Sequence, residues 1–214
     1  MSDPVKPKRR YDSPRRRQQA ADTRRDILAA AQRRFEHDGY VATTMAAVAK
    51  DADVALKTVY LAFETKGGLL RALWHLLLRG DDDRTPVGGR QWYQEVLDEP
   101  DPERKLRLNA RNARMVKQRA GSLLAVIASA APLDDDTATL WRTIQREFYA
   151  NQEVIVDSLQ VRGALAAGLD VRRATDILWT LNHPDLWGLL VRERGWTPEQ
   201  YEQWFGDTSC SQLL

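Results

Sequence analysis

The sequence predicts an all-α protein, and three observations carry that expectation. Apolar residues recur three and four positions apart along most of the chain, the spacing that gives a helix one apolar face. No stretch alternates apolar and polar residues as a half-buried strand would. Thr, Asp, Pro and Gly stand at the ends of the periodic stretches, where they start and stop helices.

The helical period begins at Asp22. Ile27, Ala31 and Phe35 fall four apart with Leu28 beside them. Asp22 or Thr23 can cap this helix, and His37-Asp38-Gly39 ends it. Thr44 is suited to cap a short second helix whose stripe is Met45, Val48 and Ala49. After the turn Asp51-Ala52-Asp53-Val54, a third short helix is expected over 56–62. A fourth is expected over 66–79, with Leu69, Leu70, Leu73, Trp74 and Leu77 on a wide apolar face. Residues 81–90 read as a hinge or loop, rich in Asp, Gly and Pro. Beyond them helices are expected over 90–98 and 102–130, and then from the acidic start Asp134-Asp135-Asp136 to about 161. Helices over 171–182, 184–194 and 198–205 close the chain.

A chain of 214 residues with 43% hydrophobic and 29% charged residues is long enough to bury a core without disulfides or metals. The single cysteine, Cys210, excludes an internal disulfide framework and a multi-cysteine zinc site. The longest apolar stretch, 123–133, is too short to cross a membrane, and the N-terminus is charged, so a cytoplasmic protein without a membrane partner is expected. His37, His75 and His183 have no metal-ligand spacing, and there is no Gly-rich phosphate loop or Gly-x-Ser-x-Gly elbow. No catalytic residue, metal or cofactor is therefore expected, and the chain is not read as an enzyme.

Charge divides the chain. Residues 1–66 hold 14 Lys/Arg and 9 Asp/Glu, a net of +5, whereas the remainder carries a net of −3. The opening segment is the extreme part, with Lys6, Lys8, Arg9, Arg10 and Arg15 to Arg17 among prolines at 4, 7 and 14. Like charges and prolines oppose burial, so 1–21 is expected to be a disordered basic arm that touches phosphates without reading sequence. A short helix, a turn and a second short helix, all behind a longer helix, is helix-turn-helix spacing. In that arrangement the second short helix lies in the major groove of DNA. Position 53 then needs a left-handed backbone, which Asp tolerates.

At these residues the chain resembles the tetracycline-repressor (TetR) family. The resemblance runs through Thr23-Arg24-Arg25-x-Ile27-Leu28-x-Ala30-Ala31, Phe35, Gly39-Tyr40, Thr43-Thr44 and Val48-Ala49. It continues through Ala52-x-Val54, Thr58-x-Tyr60-x-x-Phe63, Lys66 and Leu69-Leu70. Departures from the family pattern are Asp53 where Gly is usual, Ala55 in place of a Ser or Thr cap, Ala47 in place of an acidic residue, and Leu61 in place of an aromatic or hydrogen-bonding one.

The resemblance implies an N-terminal three-helix DNA-binding domain over 22–66 and a helical effector-binding and dimerisation domain over 67–214. It implies a homodimeric repressor on a pseudo-palindromic double-stranded DNA operator, released when a small molecule binds. Thr44, Tyr60 and Lys66 would touch phosphates. Leu56, Lys57, Thr58 and Leu61 would face the groove, where a lysine can donate to guanine and a leucine can meet a thymine methyl. Trp92, Met115, Trp141, Phe148 and Trp179 are candidate ligand-binding residues, with Asn109, Asn112, Gln145 and Asn151 as polar candidates beside them. Leu178, Leu181, Leu186, Leu189 and Leu190 are candidate dimer-interface residues. The alternative is a TetR-like protein that has lost specific DNA binding and acts through a protein partner, motivated by Asp53, Ala55 and Leu61.

Overall fold

Helical spacing becomes helix throughout the computed structural model, which describes residues 14–80 and 85–214. In chain order the helices are α1 (Pro14–Ala42), α2 (Met45–Asp51), α3 (Leu56–Phe63), α4 (Lys66–Arg79) and, after a 3₁₀ turn at Val87–Gly89, α5 (Gln91–Asp98). They continue as α6 (Pro102–Ala130), α7 (Asp135–Val161), α8 (Val171–Leu181), α9 (Pro184–Trp187) and α10 (Pro198–Leu213). No strand occurs among the described residues.

Side-chain caps fix several helix starts. The side chains of Thr44, Thr65, Asp101, Asp134, Asp170 and Thr197 each accept from the backbone N–H three residues on. Gly39, at φ 75°, breaks the helical path of α1 close to the expected stop.

Three boundaries differ from expectation. Residues 14–21, expected in the disordered arm, are the first turns of α1. A proline in the first turn loses no hydrogen bond, and the Arg, Gln and Ala behind it are strong helix formers. Gln18 also donates to Asp22 at 3.0 Å. The arm residues 1–13, and 81–84 of the expected loop, lie outside the described residues. The helix expected over 184–194 instead runs from α9 into a wider π-helical turn at Gly188–Glu193. The last helix runs past 205 to Leu213, because Gly206 is buried against α6 and Ser209 and Leu213 continue the stripe of Tyr201 and Phe205. Packing there outweighs glycine's helix penalty of about 1 kcal/mol.

Two apolar cores result. One joins Ile27, Phe35, Val48, Val59 and Phe63 of the first three helices to Leu69, Leu73 and Trp74 of α4, Leu123 and Leu124 of α6, and Ile144 of α7. The other holds Val96, Leu106, Ile155, Leu159, Leu178, Trp187, Tyr201 and Phe205. The first core thus crosses the expected boundary at 66/67 and ties the N-terminal helices to the long helices behind them.

Candidate nucleic-acid interface and interior cavity

α2 and α3 owe their relative placement to a few polar ties around an apolar centre. Val48 and Val59 are fully buried between them. Arg34 of α1 grips the end of α2, with Nε and Nη2 donating to the Asp51 carboxylate at 2.6 and 3.0 Å and Nη1 donating to Asp38 at 3.0 Å. The bond from Arg34 holds the Asp51 carboxyl below its ordinary range. The turn needs a left-handed residue, and Asp53 supplies it at φ 52°. α3 then begins at Ala55 without a side-chain cap.

α3 keeps Val59 and Phe63 inward and turns its other face to solvent. Leu56, Tyr60 and Leu61 are 41%, 48% and 76% exposed, Lys57 is exposed, and Thr58 is half-buried. Leu56 and Tyr60, four residues apart, lie on one side of the helix, with Leu61 about 100° further round. Beside them α1 adds Arg16, Gln19, Thr23 and Arg24, which with Thr58 and Leu61 line one groove. Arg24 is tied down, donating to the Ala62 carbonyl at 3.0 Å with its guanidinium 4.3 Å from the Phe63 ring centroid.

The exit from α3 is strained. Glu64 has φ 63° and ψ −57°, and the Thr65 N–H donates to the Phe63 carbonyl at 2.7 Å across it. This is the rare form of the three-residue γ-turn. It brings the end of α3 so close to α4 that a Cβ on Gly68 would lie 2.2 Å from the Phe63 carbonyl oxygen. A Cβ on Gly67 would lie 2.7 Å from Cβ of Asp136, in the first turn of α7.

The sequence-predicted DNA residues fall into two groups. Leu56, Lys57, Thr58, Tyr60 and Leu61 share α3, while Thr44 is exposed at the start of α2, its hydroxyl engaged as cap to Ala47 N–H at 3.1 Å. Lys66 turns inward instead. Its ammonium donates to the carbonyls of Tyr40 and Thr43 at 2.8 and 3.0 Å and lies 4.0 Å from the Tyr40 ring centroid. Burial lowers its pKa from the ordinary value. In this geometry Lys66 braces the α1–α2 connection; a phosphate would meet only its remaining N–H.

Residues 27–73, from within α1 to within α4, match the family model for bacterial regulatory proteins of the tetR family. Over those residues the chain carries the DNA-binding region of the TetR family. Among curated relatives it is 29% identical over 166 residues to the protein named Probable HTH-type transcriptional regulator ArpR of Pseudomonas putida, covering 75% of this chain and 76% of that one. Two solved structures share the fold. The transcriptional regulator FadR of Bacillus subtilis, in complex with stearoyl-CoA, superposes with a TM-score of 0.70 at 17% identity over 89% of this chain and 99% of that one. NalD of Pseudomonas aeruginosa, the secondary repressor of the MexAB-OprM multidrug efflux pump, gives 0.68 at 19% over 91% and 98%. Family and fold are those of DNA-binding transcription regulators. No described helix is long and apolar enough to cross a membrane.

Behind the helix-turn-helix lies a narrow cavity of about 60 Å³, partly open to solvent. Trp92, Tyr93 and Val96 of α5, Val116 of α6, and Phe148 and Ile155 of α7 make its apolar wall. Of the predicted ligand residues, Trp92 and Phe148 line it, but Met115, Trp141 and Trp179 do not. Trp141 and Trp179 instead pack around His183, with ring centroids 6.4 and 5.1 Å from it. Of the polar candidates, Asn109, Asn112 and Asn151 reach the cavity and Gln145 does not; Gln145 pairs with His183 at 2.6 Å.

Lys117 is among the lining residues that the sequence analysis does not single out. It occupies the stripe Leu106, Ala110, Ala113, Lys117, Ala120, Leu124, all buried. Its place on that stripe was a usable signal, masked by the many basic residues of α6. Leu78 of α4 also reaches the cavity, and Arg119 of α6 donates to the carbonyls of Leu77 and Leu78 at 3.2 Å each.

Among the dimer candidates Leu178 is fully buried in the chain's own second core, which leaves it no surface for a partner. Leu181, Leu186 and Leu190 are half-buried and Leu189 is 47% exposed.

Proposed function

We propose that this protein is a homodimeric repressor that binds a pseudo-palindromic operator through α3 and leaves it when a small molecule enters the cavity between α5, α6 and α7. The observation that carries the reading is α4 itself. One end of this single helix borders the cavity through Leu78, and the other begins at Thr65 and Lys66, directly under the helix-turn-helix. Fourteen helical residues span about 21 Å, so a ligand that displaces Leu78 tilts a rigid lever whose far end carries α2 and α3. Two recognition helices about 34 Å apart match successive major grooves, and a small tilt in each protomer spoils that spacing.

In this reading Leu56, Lys57, Thr58 and Leu61 face base edges, and Thr44 and Tyr60 meet phosphates. Lys66 holds the frame with one N–H left for phosphate. Leu189, with the half-buried Leu181, Leu186 and Leu190, forms part of the dimer surface.

The test is fluorescence anisotropy on DNA from upstream of the protein's own gene, beside a scrambled duplex at about 0.15 M salt, where non-specific binding lies near 10⁻⁴ to 10⁻⁶ M. Nanomolar binding to the first duplex alone supports the repressor reading. Equal weak binding there, and no enriched site in a genomic DNA selection, favours action through a protein partner.

A further inference from the structure

The cavity holds a cation that the protein itself does not neutralise. Lys117 is only 3% exposed and lines the cavity among Val96, Val116, Phe148 and Ile155. Its ammonium donates to the side-chain carbonyl of Asn182 and lies 5.4 Å from the Tyr201 ring centroid. No carboxylate of the described residues pairs with it. The other deeply buried lysine, Lys105, donates to the Leu97 carbonyl at 2.8 Å and is not part of the cavity wall.

A charge taken from water into apolar surroundings is costly unless paired. We propose that the cavity's ligand is an apolar molecule carrying a single carboxylate, whose charge is matched by the Lys117 ammonium. The apolar walls take the ligand's body, and the carboxylate oxygens accept from Lys117 N–H groups that no described residue occupies. One ammonium balances one negative charge; a phosphate dianion would leave a second charge buried and unmatched. Burial alone brings the Lys117 pKa down to about 7, so an arriving anion relieves a cost the empty protein already carries. The inference rests on the cavity being the effector site.

Matched acid and amide pairs test it: octanoate against octanamide and 1-naphthoate against 1-naphthamide, titrated at pH 6 with tryptophan fluorescence as the readout. The acids should bind wild type at least about tenfold more tightly than their amides. Lys117→Met should abolish that preference while leaving amide binding unchanged, and Lys117→Arg should keep it. Equal binding of acid and amide to wild type overturns the charge match and leaves the cavity reading standing. An acid preference that survives in Lys117→Met, or no binding of either class to wild type, also overturns the proposal. Trp92→Phe supplies the location: a ligand in the cavity should lose most of its fluorescence signal there. An unchanged signal puts the ligand elsewhere and overturns the cavity reading itself.

Discussion

Replacing Lys117 with methionine should make the ligand-free protein more stable, by an amount set by pH. Methionine has nearly the same length and no charge, so the stripe of α6 stays filled. The folded protein binds the Lys117 proton less tightly than the unfolded chain, because burial brings the pKa from 10.5 to about 7. Below pH 7 both states are charged and the whole penalty is present, roughly 5 kcal/mol at 1.36 kcal/mol per pH unit. Methionine removes that penalty but strips Asn182 of its donor, which costs about 1 kcal/mol. A net gain of about 3–4 kcal/mol is therefore expected at pH 6. Between pH 7 and 10.5 the folded lysine sheds its proton first and wild type catches up. Above that window the variant trails by the lost hydrogen bond. Urea unfolding of both proteins at pH 6, 8 and 10 measures the difference. Tyr93, Tyr149 and Cys210 are pushed upward by burial, are common to both proteins and cancel, whereas His183, lowered by burial and in part by the Lys117 charge, rises in the variant. A difference that is flat across this range, or a less stable variant at pH 6, refutes a buried unpaired ammonium.

Other substitutions test the helix-turn-helix. Glu64→Gly should relieve the γ-turn and raise stability by about 1 kcal/mol, read from the urea midpoint. Gly67→Ala must move the first turn of α7 and should cost about 1–3 kcal/mol on the same assay. Lys66→Ala should lower both the melting temperature and operator affinity, whereas Tyr60→Ala should lower affinity alone; a Lys66→Ala protein as stable as wild type contradicts the bracing role. Lys57→Ala should relax discrimination at one base pair by about 1–3 kcal/mol, measured on single-substitution duplexes.

The helices behind the first core were legible because their apolar residues keep a clean period and their starts carry Thr, Asp or Pro. The turn was legible too, since Asp53 stands where a left-handed backbone is needed, and φ 52° is what the structure has. Features that depend on another part of the chain were not. Lys66 reads as an exposed cation until Tyr40 and Thr43 are folded over it. Trp141 and Trp179 satisfy the same helical spacing as Trp92, yet only the tertiary arrangement decides which aromatic faces an empty volume. The wide turn at Gly188–Glu193 follows from an i to i+5 repeat that an apolar pattern read at 3.6 residues per turn does not resolve.

The contact at Gly67 limits how this protein can be recombined. A Cβ there would overlap Asp136, and Thr65 beside it donates to the Asp136 carboxylate at 3.3 Å. The N-terminal helices and the helical body behind them are therefore matched across this seam as a lock is to its key. A chimera that grafts a relative's N-terminal helices onto this body will pack as this chain does only if the donor brings a glycine at that position, or if the body's residue 136 is trimmed to receive it.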